Sequence, residues 1–446
     1  MAGTVASGDP GRQWSGAAVD SRRVAGEELF FALPGARTDG HGFVAQALAR
    51  GAAAAVVERD VEAPPGATLV QVADTYAGLH ALTRAVRAQV PRRLVGITGS
   101  TGKTTTKELL AACLGRRFRV AKTPGNLNSL YGFPVALLGL PDDCEWMVAE
   151  LGMSTPGELR AISLLARPDV ALYTNVRPVH LEFFADLEAI AAAKAELLAG
   201  LAPQGLVVAN ADDPLVARIA RPHRGRVIWY GLSAAADVAA RDVETSPGGR
   251  PGSRFTLLAA GARQEVELPL HGAYNVENAL AAAACAWALG VPLEEIAAGL
   301  AEASPAAMRG VVAKLGDFTL IDDSYNSNPA ALERALVAAS TLPAARRWAV
   351  LGDMLELGPQ GPEFHRAAGR RARDLGFEPV AGVGALAREL AAAAGPAGRW
   401  FASAAEAAAW APGELRPGDL VLVKGSRGVG LEAVVAALKA SREGAP

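Results

Sequence analysis

The sequence predicts an α/β protein in three domains, and three observations carry that prediction. Apolar strand-like runs alternate with Ala-rich helical stretches, the pattern of parallel sheets covered by helices. The chain has 446 residues, too many for one core and enough for about three domains of roughly 150 residues each. A glycine-rich loop, Gly99-Ser100-Thr101-Gly102-Lys103-Thr104-Thr105, follows the apolar run Leu94–Ile97 and opens a helical pattern at Lys107–Ala112. Half of the residues are hydrophobic, ample for burial, and a net charge of −2 gives no electrostatic case for nucleic acid or an anionic membrane.

The elements follow in chain order. Residues 1–90 form a small α/β domain, with strands at Leu29–Leu33 and Ala54–Val57 and a helix near Leu79–Val90 that ends at the breaker Pro91. The polar loop from Pro34 to Gly42 lies between the strands, and Asp20-Ser21-Arg22 offers further donors upstream. The residues alone leave a ligand site and a plain connector equally open there. Residues 91–304 form the central mononucleotide-binding domain. Its strands, Trp146–Glu150, Val170–Asn175 and Leu206–Asn210, end in polar residues, where parallel sheets place their ligands. A β-rich excursion covers about 226–270, before a helix from about Glu277 to Leu289. Residues 305–446 repeat the alternation in a Rossmann-like domain with strands at Thr319–Asp322, Trp348–Leu351, Pro379–Val383 and Leu420–Lys424. Two such folds suggest a cleft in which two substrates are joined, although fold does not fix function.

Cys113, Cys144 and Cys285 are odd in number, far apart and set in apolar segments, so they read as buried reduced thiols of a cytoplasmic protein. The first residues lack a charged n-region and a long apolar core, and no uncharged stretch is long enough to span a membrane.

The chemistry concentrates in a few places. Strand, glycine turn and helix together aim backbone N–H groups at an anion. Lys103 then reaches the β/γ-phosphates of ATP, and the Thr104 hydroxyl ligates Mg²⁺. Five residues, one more than the generic pattern, separate Gly96 from Gly102. Glu150 ends an apolar strand, where it is either a solvated terminus or a carboxylate with a divalent counter-ion. His180 lies just past a strand of the same sheet, structural or functional. Asp186 caps a helix that places Leu187, Ile190, Lys194 and Leu197 on one stripe. Lys194 there either snorkels or is desolvated into a neutral nucleophilic amine, able to form a carbamate with CO₂. The run Asp322 to Pro329 combines two carboxylates, a phenol and two amides after a strand, which favours binding over a mere turn.

With these residues in hand, the chain resembles the Mur ligase family over nearly its full length. The resemblance rests on Thr98 to Thr105, Glu150, Asn175 to Leu181, Lys194 within Ala193–Glu196, and Arg309-Gly310. Within the family it is similar to the branch that takes D-alanyl-D-alanine. That branch is marked by Asp323-Ser324-Tyr325-Asn326-Ser327-Asn328-Pro329, by Leu351 to Gly358, and by Lys424-Gly425-Ser426-Arg427-Gly428. Sister ligases carry Tyr-Ala-His at the first of these places. The adenine motif departs from the family pattern, with Tyr274 where His is usual in Gly272-Ala273-Tyr274-Asn275-Val276-Glu277-Asn278-Ala279.

The resemblance implies that ATP phosphorylates the terminal carboxylate of a UDP-N-acetylmuramoyl tripeptide and that the amine of D-alanyl-D-alanine displaces the phosphate. It implies two Mg²⁺ ions, with Thr104 on one and Glu150, His180 and carbamylated Lys194 on the other. Lys103 and Arg309 would hold the γ-phosphate, Gly99 to Thr105 would cradle the nucleotide with Asn275 and Asn278, and Asp323 would contact ribose. Ser21 and Arg22 fall to the UDP-sugar side, Tyr325, Asn326 and Asn328 would line the dipeptide side, and Asn126, Asn128, Lys424 and Arg427 are further substrate residues. A cytoplasmic monomer without nucleic-acid partners is expected. The rivals are another amide ligase of the family, of tripeptide-forming or folylpolyglutamate type, a P-loop kinase that stops at phosphoryl transfer, and a nucleotide-sugar binding module without turnover.

Overall fold

A computed structural model describes residues 3–35, 38–90, 92–233 and 236–443. Ala36 and Arg37 of the amino-terminal polar loop, and the breaker Pro91, lie outside the described residues. The chain divides into two compact units. The first comprises Met1–Thr98, Phe118–Ala171 and Ala195–Gly205, and the second Gly99–Arg117, Leu172–Lys194 and Leu206–Pro446.

In the first unit, five strands lie in the order Gly3–Ser7, Leu69–Val72, Ala54–Val57, Glu28–Phe31 and Gly16–Ala18. The first pair is antiparallel and the others are parallel. Phe30, Val44, Ala47, Ala55 and Val57 form their core. The expected helix runs over Thr75–Gln89, four residues earlier than its apolar pattern, because Asp74 accepts from the Ala77 N–H and caps it there. The same unit holds the parallel strands Val120–Lys122, Trp146–Glu150 and Arg93–Thr98 side by side. Trp146–Glu150 is buried at every position, as a parallel strand covered on both faces should be.

The second unit contains Leu206–Asn210, Val227–Gly231, Val238–Thr245, Ser253–Ala259 and Ala262–Leu268 in spatial sequence, parallel at first and then antiparallel. The β-rich excursion therefore extends a sheet. Its last hairpin turns through Ala260 and Gly261, both at positive φ (48° and 79°), as a two-residue turn matched to strand twist requires. The helix expected from Glu277 begins four residues earlier and covers Ala273–Ala288. Ala279 to Ala286 are wholly buried along it, as in a helix apolar all round.

A six-stranded sheet follows in the order Val311–Leu315, Phe318–Asp323, Asp419–Lys424, Arg346–Gly352, Phe377–Val383 and Gly398–Phe401. The first pair is antiparallel and the rest parallel. Two cores cover its faces, one built on Leu351, Met354 and Leu422 and the other on Trp348, Val350 and Val421. All four expected strands are present. The added ones, Val311–Leu315 and Gly398–Phe401, are edge strands with no fully buried residue, so they lack an apolar signature.

The three cysteines are free and buried, and burial pushes the Cys113 thiol up to about 12. Among the described residues no helix is long and apolar enough to cross a membrane.

One buried histidine yields a pH prediction. His365, in the helix Gly361–Asp374, is wholly buried; its Nδ1 donates to the Gly361 carbonyl (2.7 Å) and its Nε2 accepts from the Met354 N–H (2.9 Å). Burial holds its pKa below the usual imidazole value. The unfolded chain therefore takes up the proton first, so this contribution to stability is complete above about pH 6.5 and is lost as the pH falls below it. The urea midpoint should fall between about pH 7.5 and pH 5.5, and fall less in His365→Gln. Some slope should persist, since burial shifts His180 in the same direction. Equal slopes in the two proteins would contradict the assignment.

Candidate active site

The glycine loop is held from one side by the segment after Val170–Tyr173. The Ser100 N–H donates to the Asn175 carbonyl (2.9 Å), and the Thr101 N–H to Asn175 Oδ1 (3.1 Å). Thr174 Oγ1 and Asn175 Nδ2 both donate to the Thr101 carbonyl (2.7 and 3.2 Å). This contact leaves no room for a side chain. A Cβ at Gly99, where φ is +149°, would stand 1.8 Å from Thr174 Oγ1, and one at Gly102, φ +83°, 2.2 Å from Asn278 Oδ1. Gly102 begins the helix Lys103–Leu114, so the N-terminal amides open toward the loop. Lys103 Nζ folds back on the loop and donates to the Gly99 carbonyl at 2.8 Å. Thr104 and Thr105 occupy the first turn, half-buried.

Asn275 and Asn278 sit in the first turns of Ala273–Ala288, both 5% exposed. Asn275 Nδ2 donates to the His271 carbonyl (2.8 Å) and Asn278 Nδ2 to Asn275 Oδ1 (3.2 Å), a chain that ends against Gly102. The Tyr274 ring covers Gly272, whose φ of +96° leaves that space empty.

His180 stands at φ +55°, and its Nδ1 lies 2.5 Å from Glu356 Oε2. Burial lowers its pKa; Glu356 works against that shift, and the charges of Lys103 and Lys194 add to it. Lys194 is 2% exposed, and burial first and the charge of Lys103 second drive its pKa well below the usual amine value. Both influences favour the neutral amine. The expected stripe needs one correction. Ile190 and Leu197 are buried, but Leu187 is 38% exposed, because the helix starts there and its first turn faces outward from the Asp186 cap.

Within the first unit, Glu150 is 5% exposed at its strand end. Its N–H donates to Thr123 Oγ1 (3.1 Å), and Asn128 Nδ2 donates to its Oε1 (2.9 Å). Asn128 also accepts from the Gly152 N–H through its carbonyl, and its own N–H donates to the carbonyl of exposed Asn126. Ser21 is buried and donates to Gln46 Oε1 (2.6 Å), whereas Arg22 is exposed and paired with Asp20. His41 is locked between Asp39 (2.6 Å) and the Glu58 N–H (2.9 Å), an anchor for its loop.

In the carboxy-terminal part, the Arg309 guanidinium lies 3.9 Å from the centre of the Tyr325 ring and that of Arg427 5.8 Å from it. Lys424 Nζ, 3% exposed, donates to Asp323 Oδ2 (2.7 Å) and to the Asn326 carbonyl (2.9 Å). Asn328 caps the helix Pro329–Thr341 by accepting from the Ala331 N–H.

Three family models match this chain: the Mur ligase family catalytic domain over residues 14–92, the Mur ligase middle domain over 97–286, and the Mur ligase glutamate ligase domain over 308–427. The chain belongs to the Mur ligase family. A UDP-N-acetylmuramoyl-tripeptide–D-alanyl-D-alanine ligase of Bacillus subtilis is 34% identical over 94% of this chain and 92% of that one. A MurF structure from Acinetobacter baumannii is 33% identical with a TM-score of 0.84, covering 95% of this chain and 93% of that one. A MurF ligase structure from Thermotoga maritima, in complex with ADP, is 28% identical with a TM-score of 0.82 over 97% and 98%. The Mur ligase fold here is thus α/β in three family domains.

In this Mur ligase the loop Gly99–Thr105, Asn175 and Asn278 come together, as do Asp323, Asn326 and Lys424. Several supporting residues carried no local signal. Asp213, wholly buried, accepts from the Val176 N–H (3.0 Å) and the Arg177 guanidinium (2.7 Å) while capping Pro214–Ala220. Its partners lie 36 and 37 residues away in the chain. Thr174, Thr123 and Glu356 likewise act on groups distant in the chain.

Proposed function

We propose that this Mur ligase joins D-alanyl-D-alanine to UDP-N-acetylmuramoyl tripeptide, converting ATP to ADP and phosphate through an acyl phosphate, in cytoplasmic peptidoglycan precursor synthesis. One observation carries the choice of branch. The three segments that mark it meet in the carboxy-terminal sheet: Lys424 bonds Asp323 and Asn326, the Ser426 N–H donates to the Asp353 carbonyl (3.0 Å), and the Leu355 N–H donates to Ser426 Oγ (3.0 Å). Segments far apart in sequence thus build one largely buried polar cluster at the ends of these strands.

Residues 1–90 take the UDP-sugar, 91–304 the ATP and 305–446 the incoming dipeptide. The loop amides and Lys103 bind the phosphates, Arg309 neutralises the γ-phosphate, Asn275 and Asn278 face adenine, and Asp323 faces ribose. Ser21, Arg22, Asn126 and Asn128 serve the UDP-sugar side, and Tyr325, Asn326, Asn328, Lys424 and Arg427 the dipeptide. By donor chemistry the residues suit two Mg²⁺ ions: a hydroxyl at Thr104, a buried carboxylate at Glu150, an imidazole at His180 and, at Lys194, a buried amine that burial pushes toward the neutral form CO₂ converts into an anionic carbamate. Bound Mg²⁺ offsets charge on the transferring phosphoryl group. The chain's own work is positioning and charge neutralisation, with no covalent nucleophile. It acts as a monomer.

Phosphate release from ATP tests this reading. It should require both UDP-muramoyl tripeptide and D-alanyl-D-alanine and yield the pentapeptide. Transfer without dipeptide would indicate a kinase, and no release under any combination a binding module.

A further inference from the structure

The contact between His180 and Glu356 joins two residues whose backbones both stand at positive φ. His180 and Glu356 have φ of +55° and +61°, a region that residues with side chains rarely enter, and such distortions gather where function requires them. A backbone bond clamps the two segments, the Glu182 N–H donating to the Glu356 carbonyl at 3.2 Å. Gly358, φ +58°, lies against Leu181 and Glu182, where an added Cβ would be 3.6 Å from Glu182 Cα. The carboxylate reaches Nδ1 at 2.5 Å.

A neutral imidazole carries one proton, and a carboxylate can only accept. Because Glu356 only accepts, Nδ1 carries the proton at this contact, and in the neutral ring the Nε2 lone pair is left open. An imidazole that ligates a metal is commonly set in this way, its other nitrogen donating to a carboxylate that fixes tautomer and ring orientation. We infer that Glu356 is a positioning residue that presents His180 Nε2 to the divalent ion. The inference rests on the proposed reading of His180 as a metal ligand. It adds that the ligand is complete only when the segment after the strand Arg346–Gly352 is docked on it.

Two readouts test it on the full chain. Imidazole ¹⁵N spectra, with His180→Ala to assign the signals, should show His180 protonated at Nδ1 in the wild type. They should show it shifted toward the Nε2–H form in Glu356→Ala and largely restored in Glu356→Gln, whose carbonyl still accepts. Mn²⁺ binding in the presence of ADP, followed by electron paramagnetic resonance, should weaken roughly tenfold or more in Glu356→Ala. Glu356 is half exposed, so the variants should fold, and the wild-type tautomer decides even without them. An Nε2–H wild type, or a tautomer indifferent to Glu356→Ala, overturns the inference. So does Mn²⁺ binding that weakens in His180→Ala but not in Glu356→Ala. If His180→Ala leaves Mn²⁺ binding intact while the tautomer still follows Glu356, the metal reading fails and the positioning of the ring stands.

Discussion

Lys103→Ala should lower ligation by about a hundredfold or more while the protein folds as before. The loss follows from where the ammonium stands. Lys103 opens the helix after Gly102, and its Nζ donates to the Gly99 carbonyl at 2.8 Å, so the charge is held at the mouth of the loop that the proposed reading assigns to the phosphates. Losing one preorganised contact to charge that develops in the transition state commonly costs several kcal/mol. The folded state loses little, since Lys103 is half-buried and substitutions outside the core usually change stability by less than about 0.5 kcal/mol. The loop itself is kept by Asn175, Thr174 and the two glycines. Initial rates at saturating substrates, beside thermal midpoints, check both halves. A rate within about tenfold of wild type would contradict the phosphate role.

What could be read in the sequence follows physical range. The strand Trp146–Glu150 was legible to the residue, because an apolar run ending in a carboxylate is a local pattern. The spacing of Lys194 with Ile190 and Leu197 placed it on an apolar stripe but left snorkelling and burial open, and the fold buries it. Leu187 was misread, because periodicity cannot tell whether the first turn of a helix is covered. Helix starts at Thr75 and Ala273 came early, set by the Asp74 cap and the left-handed Gly272 rather than by apolar residues. The partners of the site were the least visible. His180 and Glu356 are 176 residues apart, and Lys424 and Asp323 101 apart. No spacing rule spans such distances; only the folded sheet brings these side chains together.

Lys194→Ala should be nearly inactive, and carboxylic acids added from outside should restore part of its rate. The reasoning begins with burial. At 2% exposure, burial first and the charge of Lys103 second push the Lys194 amine toward its neutral form. An ammonium there would repel a divalent ion strongly in a medium of low dielectric. The neutral amine instead has a free lone pair. Attack of Nζ on the carbon of CO₂ forms a C–N bond, moves one C=O electron pair onto oxygen and releases a proton. In the proposed reading the side chain becomes a carbamate, an anion with two oxygen donors of the kind Mg²⁺ prefers. Alanine removes that anion and leaves space, which formate or acetate can fill as a substitute oxygen ligand. The same acids should do nothing for Lys103→Ala, because its missing group is a cation. Rescue confined to Lys194→Ala, rising with acid concentration, therefore separates a missing metal ligand from general damage to the site. Full activity of Lys194→Ala without additive would return this lysine to the role of a buried structural amine.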